Sequence, residues 1–296
     1  MDGLMSILMK VRRQKWVTKI SALKNTTGSE DPDTLTIFQI IVRTMKTLTD
    51  KTAIILISAF TLLILWGSKG NMKILSNIFG ENWPGALFPG IPWHSQLASF
   101  VVGFLLLVVI PCCIIKFVFK ERLSEYGLGW PKDNNSRKLG VIAFFVILGI
   151  SIIPFYLGTF SAEIQEEYPL FRNVIAKGDW GAFIIYELVY FLFFFVIEFI
   201  YRGYLLFGLY KIKDMEVLKD VKGLKGPLVF GVYAILIQML SYTMWHISKP
   251  SVELIGTVFW GIGVGAVALR VRSIWPIIIA HWVLNSFMDM VLWLRQ

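Results

Sequence analysis

The chain has 296 residues, of which 56% are hydrophobic and 15% aromatic, with a mean hydropathy of +0.64, more apolar surface than a soluble domain of this length can bury. Its 29 basic and 20 acidic residues leave a net charge of +9, but the excess collects in alternate segments between apolar stretches. That distribution marks membrane orientation and argues against a nucleic-acid partner.

Residues 1–49 read as a basic amphipathic tail. Leu4, Ile7, Leu8 and Val11 alternate with Lys10, Arg12, Arg13 and Lys15, without the continuous apolar core or cleavage site of a signal peptide. Such a segment lies on an anionic membrane face or is simply solvated. Residues 50–296 read as one all-α transmembrane domain. A span needs about 20 mostly apolar residues, and seven stretches qualify: 50–68, 96–119, 139–160, 181–210, 227–248, 251–269 and 274–294. The expected fold is therefore a polytopic membrane helix bundle of about seven transmembrane helices.

Basic residues crowd the segment before the first span, the loop around 116–138, the loop at 211–226 and the pair Arg270 and Arg272. Between them, the 161–180 loop is acidic, with Glu163, Glu166, Glu167 and Asp179. The positive-inside rule then predicts a cytoplasmic amino terminus and an outer carboxyl terminus. With no targeting sequence, the expected location is a prokaryotic inner membrane. No repeat with the period of a solenoid, and no duplicated half of a transporter, is present. Cys112 and Cys113 are adjacent and give neither a disulfide nor a metal-ligand spacing.

Glu198, Arg202, His281 and Asn285 interrupt otherwise apolar spans. A charge at mid-bilayer costs roughly 2.5 to 3.5 kcal/mol even on lenient scales, so such residues pair, line a cavity or do chemistry. Glu198 and Arg202 stand one helical turn apart, a spacing that permits an ion pair whose plainest role is mutual neutralisation. Glu187 shares that face about three turns earlier and is expected near the outer surface. Tyr242 precedes His246 by four residues, and His281 precedes Asn285 by four. Of the three histidines, only His94 falls in a loop and reads as interfacial.

These three ordered pairs resemble the motifs of the CAAX-protease and bacteriocin-processing (CPBP, or Abi) family of intramembrane endopeptidases, over roughly residues 180–290. The family pattern has two glutamates, three residues and arginine; then an aromatic, three residues and histidine; then histidine, three residues and asparagine or aspartate. Here these are Ile197-Glu198 to Arg202, Tyr242 to His246, and His281 to Asn285. The resemblance implies a catalytic set of Glu198, His246, His281, Asn285 and Arg202, acting on a prenylated or leader-peptide substrate in the bilayer. One position departs. The family's first glutamate, its water-activating base, is Ile197 here, and isoleucine accepts no proton.

Either Glu198 takes over as base or another carboxylate does. Glu253, close after His246, is the substitute candidate; a first-turn carboxylate favoured by the helix dipole is its plainer reading. In the expected mechanism Glu198 and His246 activate water, His281 and Asn285 donate to the oxyanion, and Arg202 keeps Glu198 ionised. No cofactor is needed. Zinc held by the two histidines and a glutamate is a secondary reading, since no His-Glu-x-x-His pattern occurs. The rival from another class is a catalytically silent relative that binds peptides as a scaffold or immunity protein, which the loss of the first glutamate favours.

Overall fold

The computed structural model describes residues 36–67, 77, 80, 82, 85–130, 134–210 and 231–295. The tail expected before residue 36, the basic loop at 211–226 and the start of the 227–248 span lie outside these residues. The chain divides into two units, Met1–Asp50 and Lys51–Gln296. The described part of the first is helix α1 (Ile37–Thr47), with Ile37, Phe38, Ile41 and Met45 exposed and Lys46 in its last turn.

The second unit holds α2 (Lys51–Gly67), α3 (His94–Val118), α4 (Asn134–Gly158), the short α5 (Ala162–Glu167), α6 (Trp180–Tyr210), α7 (Val232–Trp245), α8 (Ser251–Val271) and α9 (Trp275–Arg295). Regular structure among the described residues is entirely helical. Each of the seven apolar stretches contains a helix, and among the described residues α3, α4, α6, α8 and α9 are long and apolar enough to cross a bilayer alone. A sixth crossing is reached if α1 and α2 count as one span. The 14 described residues of α7 rise only about 21 Å against a hydrocarbon core of about 30 Å.

The apolar composition is resolved as membrane proteins resolve it, with large hydrophobic side chains exposed along the helices. Phe145, Ile150 and Ile153 on α4, Leu188 on α6 and Phe259 on α8 are more than half exposed. Helices satisfy their own backbone hydrogen bonds, so these faces can meet lipid. Inside, Ile55, Leu107, Phe199, Leu205, Ala234, Ile277 and Leu284 form the main core.

Two glycines on α8 let it pack tightly on α7. A β-carbon at Gly261 would stand 2.8 Å from Met239 Cγ and 3.0 Å from its Cα, and one at Gly265 would meet Gln238 Nε2 at 2.8 Å. Gln238 exploits this approach, donating from Nε2 to the Gly261 carbonyl at 2.6 Å. Small residues that admit a close helix crossing are the usual device in bilayers, where hydrophobicity drives no association.

The connections sort to two ends of the bundle. At one end, Lys51 Nζ meets Glu121 at 2.6 Å, Tyr126 donates to the same carboxylate, and Ile274 N donates to the Gly127 carbonyl. At the other, Ser251 N donates to Glu163, Lys249 pairs with Glu167, and Arg295 donates to Thr159. Alternate connections thus share an end.

Candidate active site

Asp179 opens α6 by accepting the Ala182 N–H at 3.0 Å, and the helix runs regularly as far as Glu198. From Phe199 to Phe207 it widens into π-helical turns, a local form that recurs at functional sites. Arg202 lies in this wide segment, its Nε 3.3 Å from Glu198 Oε2. Both residues are wholly buried. The other carboxylate oxygen accepts from His281 Nδ1 at 2.7 Å. Glu198 is therefore spanned by a guanidinium on one side and an imidazole on the other, which repays part of the cost of burying it.

His281 is gripped between the rings of Phe194 and Trp260, at centroid distances of 4.8 and 4.9 Å. Its donation from Nδ1 to Glu198 leaves Nε2 for other partners, the arrangement by which a carboxylate sets a histidine tautomer. Asn285, one turn on, donates from Nδ2 to the His281 carbonyl at 3.0 Å. That bond uses one of its two amide hydrogens and leaves the second.

His246 follows the last residue of α7. Its Nδ1 donates to the Tyr242 carbonyl at 2.7 Å, which directs Nε2 toward Glu253 Oε1 at 3.4 Å. Tyr242, the aromatic of the second pair, joins the two halves: the Arg202 guanidinium lies 4.3 Å from its ring centre, and His246 packs on the same ring at 4.5 Å. The five residues expected at the site thus form one contiguous cluster, and Glu253 joins it through His246. Ile197, in contrast, is 1% exposed and packed in the apolar core.

Two features were not anticipated. Tyr168, in the connection between α5 and α6, donates to both carboxylate oxygens of Glu253 at 3.1 Å. Its position far back in the chain gave no spacing to read. Glu187, expected near the surface, is only 5% exposed, and its Oε2 accepts from Ser286 Oγ at 2.5 Å. Beside it lies Asp289, fully buried, with no N–H or hydroxyl donor on either oxygen among the described residues. An aspartate inside an apolar span was a legible signal for this second polar cluster. Among the described residues no three of His, Cys, Asp and Glu converge as a metal centre would need.

Residues 179–287 match the family model described as Type II CAAX prenyl endopeptidase Rce1-like. The matched stretch begins at the α6 cap and takes in both histidines, Glu198, Arg202, Glu253 and Asn285. No curated protein and no solved structure matches the chain. With its apolar spans the protein is an integral membrane protein whose residues 179–287 are similar to the Rce1-like type II CAAX prenyl endopeptidases.

Proposed function

We propose that the protein is an intramembrane endopeptidase in which Glu253, supplied from α8, replaces the base missing at position 197. The observation that carries this reading is the contrast between two carboxylates. Glu198 has a side chain with 0% exposure and both oxygens engaged, whereas the Glu253 side chain is 22% exposed and faces His246 Nε2. A base must touch the water it deprotonates. Glu253 meets that requirement and Glu198 does not.

In this scheme a water bonds to the exposed side of the Glu253 carboxylate, next to His246 Nε2. Glu253 takes its proton as the new C–O bond forms at the scissile carbonyl, and returns that proton to the amine as the C–N bond breaks. His281, donating from Nε2 in its imidazolium form, and the second amide hydrogen of Asn285 stabilise the oxyanion. Glu198 orients His281 and stabilises the positive charge on the imidazolium, and Arg202 keeps Glu198 ionised. The substrate is a prenylated or leader peptide entering from the bilayer. The scheme draws on no cofactor, and the setting is a prokaryotic inner membrane with the amino terminus cytoplasmic.

The test is incubation of detergent-purified protein with prenylated peptides and membrane-segment peptides, followed by mass spectrometry of the products. Discrete cleavage is expected. The core packing of Ile197 favours the silent peptide-binding reading instead, and saturable peptide binding without cleavage would establish that one.

A further inference from the structure

Tyr168 lies outside the stretch that matches the family, 85 residues before Glu253 in sequence, yet its hydroxyl stands 3.1 Å from each oxygen of the Glu253 carboxylate. The contact is built rather than incidental. Its own N–H closes the end of α5 on the Ile164 carbonyl at 2.8 Å, and its ring packs with Ile164, Met288 and Leu292. The same short helix is fastened to the start of α8 at two more points. Glu163 accepts from Ser251 N at 2.6 Å and from its hydroxyl, and Glu167 pairs with Lys249, whose ammonium also lies 5.4 Å from the Tyr168 ring centre. Residues 163, 167 and 168 therefore grip 251, 249 and 253 in turn. Burial and the adjacent Glu253 push the Tyr168 hydroxyl well above the ordinary tyrosine range, so it stays a donor.

We propose that Tyr168 is a positioning residue that holds the Glu253 carboxylate against His246, so that the site of this protein extends beyond the family's helices to the α5 connection. A carboxylate on a flexible side chain has several rotamers, and only one faces His246. A hydroxyl bonded to both oxygens selects it. The inference rests on Glu253 being the base, and its test separates the two claims.

The variant is Tyr168→Phe, which keeps the ring and removes only the donor. Turnover of a cleavable membrane peptide is expected to fall roughly 10- to 100-fold in kcat, the scale of a misplaced catalytic group, with KM little changed. The acidic limb of the pH–rate profile is expected to move to higher pH, because the ionised carboxylate has lost a donor. Thermal unfolding of Tyr168→Phe, Glu253→Gln and the double variant supplies a readout independent of turnover: the midpoint shifts of the single variants are expected not to add. Additive midpoints, or a folded Tyr168→Phe with unchanged kcat and acidic limb, overturn the inference. A Glu253→Gln protein that still cleaves overturns the assignment of the base instead.

Discussion

His246 Nε2 and Glu253 Oε1 face each other across 3.4 Å, the first just past the end of α7 and the second in the first turn of α8. The turn at 247–250 makes this possible. Lys249 N donates to the His246 carbonyl at 2.9 Å, and Leu254 N donates to the Pro250 carbonyl at 2.9 Å as α8 begins. Glu253 then falls in the first turn of α8, where a carboxylate is favoured by the unpaired N–H groups of the helix start. The plain dipole role and the proposed catalytic role coincide in one residue.

The wholly buried Glu198 and Arg202 make a pair whose halves depend on each other. Glu198→Leu strands Arg202 among apolar groups, and is expected to cost about 3–5 kcal/mol. Unfolding in detergent should show this loss, and Glu198→Leu combined with Arg202→Leu should recover part of it. Unchanged stability in the single variant would mean the pair is not buried as described.

Restoring the family's glutamate at position 197 is expected to harm the protein. Ile197 packs in the apolar core, so Ile197→Glu places a carboxyl there at a cost of several kcal/mol unless it is paired or stays protonated. The expected result is a lower unfolding midpoint with no gain in cleavage. A stable variant with raised turnover would show that position 197 still reaches the site.

The glycine stripe on α8 gives a sharper contrast within one helix. Gly261→Leu drives side-chain atoms into Met239, including its backbone, and is expected to destabilise by about 1–3 kcal/mol. Gly256, whose β-carbon would meet nothing within 4 Å, should accept Ala without loss. Equal effects at the two positions in an unfolding assay would refute the α7–α8 packing described.

Much of this was legible because bilayers punish unpaired polarity. Glu198, Arg202, His281 and Asn285 stood out against apolar neighbours, and the four-residue spacings placed each pair on one face. What was not legible follows from geometry that spacing does not encode. Whether Ile197 or Glu253 occupies the place beside His246 depends on the turn at 247–250. The partnership of Tyr168 with Glu253 depends on how α5 folds over α8. At α7 the described helix ends at Trp245, where the chain turns through His246 and Lys249 toward the start of α8.

Acid should loosen the grip of α5. Hydrogen bonds from Ser251 hold the Glu163 carboxyl below the usual range. Its contribution is therefore present above ordinary carboxylate pKa values and is lost as pH falls through the depressed one. The midpoint difference between wild type and Glu163→Gln should be present at neutral pH and close in acid. A difference that does not vary with pH would show that Glu163 does not act through its charge.

The central claim is that Glu253 is the base, and the most direct measurement is kcat for a cleavable membrane peptide with Glu253→Gln at matched folded concentration. The amide keeps the shape and cannot take a proton, so turnover is expected to fall by roughly 100-fold or more, with peptide binding retained. Wild-type turnover in the folded Glu253→Gln protein would contradict the account.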